Sequence, residues 1–176
     1  PAVNELGFYE IGMESIGGLG ANLAGQMLAQ AGILGMNLNG ANFASYGSEK
    51  KGTPVKSFLR FGEYDTELRT NSPVMEPDML VIFHPNLICA YSITLGVGPN
   101  AAVVVNTPFN TEEMRDILEL HGGTIGCVDA LNISVEEKVR LNTPVMGAAT
   151  RATGFMDPKA VKDVIRSTFE KRYPQL

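Results

Sequence analysis

Three glycines stand just before a helical segment of small residues, in the stretch EIGMESIGGLGANLAGQMLAQAG at residues 10–32. Glycine lets a backbone approach a ligand closely, and the free N–H groups at a helix N-terminus attract anions. Gly17, Gly18 and Gly20 therefore suit the binding of a phosphate group. A tight crossing of backbone on backbone is the second interpretation that the glycines alone allow.

The stretch matches neither of two common phosphate-binding patterns. The dinucleotide fingerprint needs a small residue where Leu23 stands, and an acidic residue about 20 positions further on, where the chain reads LNGANFA. The turn predicted from Gly12 to Gly20 is also longer than the tight turn of that fold. The P-loop pattern is absent because no Lys followed by Ser or Thr comes after the glycines. The glycines thus predict an anion site without naming a nucleotide.

A lysine pair offers a second set of phosphate contacts. Lys50 and Lys51 lie in SYGSEKKGTPV, a predicted loop at residues 45–55 that follows the second strand. Ligands of open α/β sheets collect outside the carboxyl ends of the strands, so this loop can stand at the same edge as the glycines. Two lysines facing them would suit a multiply phosphorylated ligand, whereas a solvated charged turn is the ordinary alternative.

The remaining polar residues do not form a recognisable catalytic set. His84 and His121 have no paired carboxylate or cysteine nearby in sequence and are predicted to be loop or capping residues. Asp129 stands at a strand end, where either a functional role or a helix cap is possible. Cys89 and Cys127 cannot form a four-cysteine cluster, and buried thiols in a reducing cytosol are expected. No nucleophile elbow or zinc-protease motif is present.

Composition restricts the class of protein. The 176 residues predict a single domain over positions 1–176, and the net charge of −5 argues against nucleic-acid and membrane-surface partners. No apolar run approaches the roughly 20 residues that span a bilayer. The first residues, PAVNELGFYE, lack the features of a signal peptide, so a cytoplasmic location is expected.

Hydrophobic patterning predicts strands that alternate with helices. The predicted strands lie at 6–11, 55–62, 79–83, 101–106 and 124–130, with a further strand beginning near 36. The predicted helices lie at 21–34, 85–96, 107–123 and 157–173. This alternation indicates an α/β fold, a three-layer Rossmann-like domain with a mainly parallel sheet and helices on both faces.

Six blocks of sequence in a fixed order carry a family resemblance. They read GMESIGGLGAN, YGSEKKGTPVKSFLRFG, PVMEPDMLVIFHPNL, VVVNT, VDALNIS and NTPVMGAATRATG. With these blocks the chain resembles, nearly end to end, the gamma subunit or gamma domain of the pyruvate:ferredoxin and 2-oxoacid:ferredoxin oxidoreductases. It departs from many separate gamma subunits in having a longer glycine loop, and a lysine pair where they carry Arg.

The resemblance implies a subunit that is non-catalytic by itself. Such complexes cleave a 2-oxoacid with thiamine diphosphate, pass electrons through iron–sulfur clusters to ferredoxin, and release an acyl-CoA. Thiamine diphosphate and the clusters would belong to the alpha, beta and ferredoxin-like partner subunits. The gamma part would contribute to coenzyme A binding, at positions corresponding to Ser15, Ile16, Gly17, Gly18, Lys50 and Lys51. A stand-alone nucleotide- or CoA-binding Rossmann-like protein is the alternative.

Overall fold

The structure is a computed structural model that describes residues 3–18, 20–46, 53–68, 70–90 and 93–172. Within these ranges six strands form one sheet in the order β2-β3-β1-β4-β5-β6. The strands are β1 (Tyr9–Ile16), β2 (Asn39–Tyr46), β3 (Pro54–Gly62), β4 (Met79–Ile82), β5 (Ala102–Asn106) and β6 (Thr124–Val128).

The sheet is mainly parallel, as predicted. β1, β4, β5 and β6 run parallel to one another, and β3 pairs antiparallel with both β1 and β2. The connection from Tyr46 to Pro54 is too short for the crossover that parallel neighbours need, so β2 and β3 form a hairpin. Because β2 is antiparallel to β3, and β3 is antiparallel to β1, β2 runs in the same direction as β1. The carboxyl ends of β1 and β2 therefore lie at the same edge of the sheet.

Helices lie on both faces of the sheet, which confirms the three-layer prediction. On one face, α1, α5 and α6 pack against side chains such as Ile11, Met13 and Val81. On the other face, Leu87 and Met114 of two short helices pack against Leu80 and Val103. The helices are α1 (Ala21–Gln30), continued by a π-helical turn (Ala31–Gly35), α2 (Asn86–Ala90), α3 (Thr111–Ile117), α4 (Ala130–Glu136), α5 (Asn142–Thr153) and α6 (Pro158–Arg172).

The first strand is longer than its sequence predicts. β1 ends at Ile16, so the turn predicted to begin at Gly12 begins at Gly17, and its predicted length was wrong. Gly12 and Glu14 are poor strand formers, yet each is paired on both sides, Gly12 with Phe58 and Leu80. Pairing on both sides of a central strand outweighs local propensity. The turn after β1 is short, so its length is compatible with a dinucleotide-type turn.

Two further predictions need correction. Leu34, predicted to continue the apolar stripe of the first helix, is 79% exposed, because the change to a π-helical turn at Ala31 rotates the residues that follow. Cys89 is exposed rather than buried, whereas Cys127 is half-buried, and burial raises the pKa of its thiol. Among the described residues, no helix combines the length and apolar character that crossing a bilayer requires.

Candidate functional site

The predicted glycines lie where the connections of the sheet diverge. After β1 the chain crosses towards β2 at one edge, and after β4 it continues towards β5 and β6 at the other. Such a switch point leaves a crevice outside the carboxyl ends of the two strands. The backbone N–H of Phe83, at the end of β4, donates to the carbonyl of Glu14 (2.9 Å), which keeps these two ends level.

Each glycine of the turn that the structure describes has a different structural role. The N–H of Gly17 donates to the carbonyl of Thr53 (3.1 Å), which ties the turn to the start of β3. Gly18 has φ +98° and Gly20 has φ +84°, conformations that L-residues with a side chain rarely adopt. Gly20 is the N-cap residue of α1, and its carbonyl accepts from Ala24 N–H (2.9 Å). The turn therefore allows a ligand to approach its backbone closely.

Ser15 and Ile16 belong to the strand rather than to the turn. Ser15 is 1% exposed, and its hydroxyl donates to the carbonyl of Ile16 (3.1 Å). Ile16 is partly buried against the apolar cluster beneath α2 and α3. Ser15 and Ile16 were predicted to contact a ligand, but they lie within the sheet at the end of β1. Gly17 and Gly18 lie at the carboxyl edge of the sheet itself.

Lys50 and Lys51 lie outside the described residues, but the residues that flank them lie at the predicted edge. Val55 of β3 pairs with Ser15 on one side and with Tyr46 on the other. The amide of Asn22, in the first turn of α1, donates to the hydroxyl of Tyr46 (3.0 Å). The ends of the lysine-bearing connection are therefore held next to the start of α1.

The N-terminus of α1 is open to a negative ligand. Its first turn contains no acidic residue, and Gly20 has no side chain with which to cap it. The leading N–H groups of a helix have no partner within the helix and carry the positive end of its dipole. A helix of 10 residues that begins in this way at a switch point is suited to bind a phosphate.

Asn142 lies beside the N-terminus of α1, and we call the glycine turn, this helix N-terminus and Asn142 together the cradle. The sequence did not predict Asn142 as a site residue. It is the first residue of α5, is 2% exposed, and its Oδ1 has no hydrogen-bond partner. A Cβ built on Gly20 would lie 3.0 Å from its Nδ2, so the amide lies against the start of α1. A buried amide oxygen without a hydrogen bond is costly unless something supplies a donor.

Sequence reasoning missed Asn142 because it also missed its helix. The segment NTPVMGAATRAT contains three Thr, one Gly and one Pro, which are weak helix formers, and so α5 was not predicted. The helix forms because it packs against the core through Val145, Met146 and Ala149. The available signal was Pro144 two positions after Asn142, since proline is tolerated only in the first turn of a helix.

A groove of about 520 Å³ extends the site along the carboxyl ends of β4, β5 and β6. Leu141, which directly precedes Asn142, forms part of its wall. Its other walls include His84, Thr107, Asp129, Leu131 and Val135. The groove is partly apolar, and its wall at Leu141 directly precedes Asn142 in the chain.

The polar residues of this groove already have structural roles. Nδ1 of His84 accepts from Asn86 N–H (3.2 Å), and Asp129 caps α4 by accepting from Asn132 N–H (3.1 Å). Asn106 donates to the carbonyl of Phe83 (2.9 Å) and accepts from Ala130 N–H (3.0 Å), which ties β4 to α4. His84 is thus a capping residue, as predicted, and Asp129 is a helix cap. In the described part of the chain, no cluster of three or more His, Cys, Asp and Glu side chains could hold a metal ion.

Comparisons with known proteins agree on one family. A profile of the family described as pyruvate ferredoxin/flavodoxin oxidoreductase matches residues 10–176. The gamma subunit common to pyruvate and ketoisovalerate oxidoreductases of Thermococcus litoralis is 33% identical over 162 residues, which is 91% of this chain and 86% of the relative.

Solved structures resemble the whole fold. The crystal structure of pyruvate oxidoreductase subunit PORC from Thermotoga maritima matches with a TM-score of 0.79 and 30% identity, over 92% of this chain and 85% of that one. A 2-oxoglutarate:ferredoxin oxidoreductase from Magnetococcus marinus, solved with 2-oxoglutarate, coenzyme A and succinyl-CoA bound, matches with a TM-score of 0.70 and 19% identity. That match covers 94% of this chain and 27% of the larger one, and it shows the fold alone.

Proposed function

Because the chain belongs to the pyruvate ferredoxin/flavodoxin oxidoreductase family, we propose that it helps to bind coenzyme A as the gamma subunit of a 2-oxoacid:ferredoxin oxidoreductase. The binding site comprises the turn at Gly17 and Gly18, the N-terminus of α1, the amide of Asn142, and the lysine pair Lys50 and Lys51. Ser15 and Ile16 hold the turn in place from the end of β1.

The observation that carries this proposal is the contact between Asn142 and Gly20. A buried amide whose oxygen has no partner lies with its Nδ2 against an uncapped helix N-terminus. Nδ2 of the amide and the leading N–H groups of the helix can both donate to an anion. The amide of an asparagine can also accept, so a ribose hydroxyl next to a phosphate would satisfy both ends of the side chain.

Coenzyme A fits such a cradle chemically. It carries a 3′-phosphate and a pyrophosphate, so it can engage a helix N-terminus and a lysine pair at the same time. Each hydrogen bond to a charged group contributes roughly 1.5–3 kcal/mol. The groove beside Leu141 offers partly apolar surface along which the rest of the molecule can lie. The relative from Magnetococcus marinus supports this choice of ligand, because that enzyme was solved with coenzyme A bound.

The rest of the chemistry belongs to partner subunits. We place thiamine diphosphate and the iron–sulfur clusters on alpha, beta and ferredoxin-like subunits of a cytoplasmic complex that uses ferredoxin as electron acceptor. The described residues of this chain support that division, because His84 and Asp129 are engaged in capping. The chain then supplies binding and position for coenzyme A while another subunit supplies the reacting carbon.

An isosteric substitution tests the cradle in the assembled complex. Asn142→Asp keeps the shape of the side chain, and its negative charge is favoured beside a helix N-terminus but repels a phosphate. We expect the Kd for coenzyme A, measured by isothermal titration calorimetry, to rise at least tenfold while the complex stays intact. Asn110→Asp is the matched control, since it makes the same charge change at the N-cap of α3, where the capping bonds to Glu112 and Glu113 are kept.

Two outcomes would overturn the proposal. If the intact wild-type complex binds no coenzyme A, the chain does not serve this purpose. If Asn142→Asp and Asn110→Asp leave the Kd equally unchanged in folded complexes, the ligand does not occupy this cradle. Tight binding by the isolated chain, together with a failure to co-purify with any oxidoreductase subunit, would favour the stand-alone alternative.

A further inference from the structure

Among the residues that the structure describes, one half of a sheet face carries a groove instead of a helix. On the face where α2 and α3 pack over β4, β5 and β6, the surface above β1 and β3 is covered by the non-helical segments 73–77 and 93–97. Between these segments and the strands lies a groove of about 410 Å³. This groove is on a face of the sheet, whereas the coenzyme A cradle lies at its carboxyl edge.

Gly12 forms part of the floor of the groove and places no side chain in it. Gly12 lies in the middle of β1, opposite Phe58 and Leu80, and its φ is not positive. A Cβ there would lie 3.8 Å from both Leu80 and Pro77, an ordinary contact. The fold therefore does not require glycine, although glycine weakens a strand interior and commonly marks the close approach of another group.

The rim of the groove presents two large apolar side chains. Met75 is 73% exposed and Leu95 is 81% exposed. Gly96, with φ +85°, brings the two segments into backbone contact, and a Cβ there would overlap the carbonyl oxygen of Met75. The exposed side chains thus stand on a firmly packed frame, and such patches mark sites of protein–protein contact.

A buried carboxylate closes one end. The side chain of Glu14 is 10% exposed, and its Oε1 pairs with Nζ of Lys56 at 2.8 Å. Its Oε2 has no hydrogen-bond partner. A carboxylate accepts at both oxygens, so the site is short of one donor, and a cationic donor would complement the charge best.

We propose that this groove is the docking site for another subunit of the oxidoreductase complex. The partner segment places an apolar side chain over Gly12, between Met75 and Leu95, and an Arg or Lys side chain that donates to Oε2 of Glu14. The inference rests on membership in a family whose gamma subunits work in multi-subunit complexes, and it does not depend on the binding of coenzyme A.

The test compares variants in the complex co-expressed with a tag on this chain. Met75→Ser with Leu95→Ser removes the rim, and Gly12→Val fills the floor with a residue that suits a strand. Ile33→Ser with Leu34→Ser is the matched control, because these side chains are 42% and 79% exposed elsewhere on the surface. We expect the Kd between this chain and its partner subunits to rise tenfold or more for both groove variants and to stay unchanged for the control.

A third variant examines the carboxylate. Glu14→Gln should weaken association and reduce its dependence on ionic strength, because a charged contact becomes neutral. Coenzyme A affinity of the complex that still forms should remain at the wild-type value, which separates this proposal from the preceding one. Unchanged subunit affinity in both groove variants would overturn the proposal. It would also fail if the groove variants altered only self-association of the chain, since a second copy would then be the occupant.

Discussion

The amide of Asn142 lies directly against Gly20, so that a Cβ on the glycine would be 3.0 Å from Nδ2. These residues are 122 positions apart in sequence and begin two different helices, α5 and α1. Their contact brings a buried amide, whose oxygen has no partner, to an uncapped helix N-terminus. A side chain at Gly20 would have to displace the amide of Asn142 and adopt a positive φ of 84°.

Gly20→Ala should therefore both destabilise the chain and impair the cradle. A positive φ costs a residue with a Cβ about 1–2 kcal/mol, and the new methyl would also displace Asn142. Gly18→Ala isolates the first effect, because its φ is +98° but nothing lies within 4 Å of the added Cβ. Urea denaturation should show a larger loss of unfolding free energy for Gly20→Ala than for Gly18→Ala.

Gly147→Ala provides the opposite control. Gly147 lies within α5, is exposed, and has nothing within 4 Å of an added Cβ. Because alanine is the better helix former, this change should raise the unfolding free energy by about 0.5–1 kcal/mol. A loss of stability in this variant would mean that the conformation of α5 near its middle differs from the one described.

Lys50→Ala should weaken the binding of coenzyme A by about 10- to 100-fold, because one charge-assisted contact to a phosphate is lost. The measurement is the Kd of the assembled complex at low and high salt, and the difference from wild type should shrink as salt rises. Lys162→Ala, an exposed change on α6, controls for net charge. Equal affinities of the two variants for coenzyme A would show that the lysine pair is not part of the proposed site.

The buried ion pair between Arg60 and Glu10 should behave as a unit. Nε of Arg60 donates to Oε1 of Glu10 at 2.6 Å, and their side chains are 3% and 12% exposed. Breaking the pair by Glu10→Leu leaves an uncompensated buried charge and should cost about 3–5 kcal/mol. In a double-mutant cycle measured by denaturation, Glu10→Leu with Arg60→Met should lose far less unfolding free energy than the sum of the two single variants. Additive losses would contradict this account.

Asp78 should make stability depend on pH. Burial raises the pKa of its carboxyl, the nearby charge of Glu10 raises it further, and the hydrogen bond from Glu10 N–H opposes both. Because the pKa of Asp78 is higher in the folded state, its protonated carboxyl stabilises the fold fully at pH values below the unfolded-state pKa of about 3.8. This stabilisation is lost as the pH rises through the folded-state pKa. Asp78→Asn keeps an acceptor for Glu10 N–H and should gain stability relative to wild type as pH increases from 4 to 7.

The pH profile of unfolding by urea checks this expectation. Asp163→Asn, an exposed change on α6, controls for the loss of one negative charge. If Asp78→Asn and wild type differ by the same free energy at every pH, Asp78 does not carry the predicted dependence. If Asp163→Asn gives the same slope as Asp78→Asn, the effect arises from net charge and not from burial.

Local patterns were reliable where a segment alone decides its own structure. The helix cap at Asp157 with Pro158 next to it and the acidic first turn of α3 at Glu112 and Glu113 are both present. The apolar runs that became β4 and β5 were also recognised, because strands covered on both faces have no polar face to obscure the pattern. These features depend on hydrogen bonds and burial within a few residues.

Predictions failed where a distant partner determines the outcome. Gly12, Glu14 and Ser15 were assigned to a turn, yet β3 and β4 pair with Gly12 and Glu14, and β3 pairs with Ser15, so all three belong to β1. α5 forms through its packing on the core rather than through helix propensity. A single sequence contains no record of which strand lies beside which, so the extent of a central strand or a buried helix cannot be read from it.

The sequence by itself determined the α/β class, the family, and a turn of glycines before a helix, since these follow from local chemistry and from the order of its motifs. Only the tertiary structure decided that Asn142 joins that turn and that Gly12 opens a groove beside Glu14. Both arrangements arise where strands and helices distant in sequence are packed together. The geometry of a site depends on that packing, whereas the residue types that make a site possible are already present in the chain.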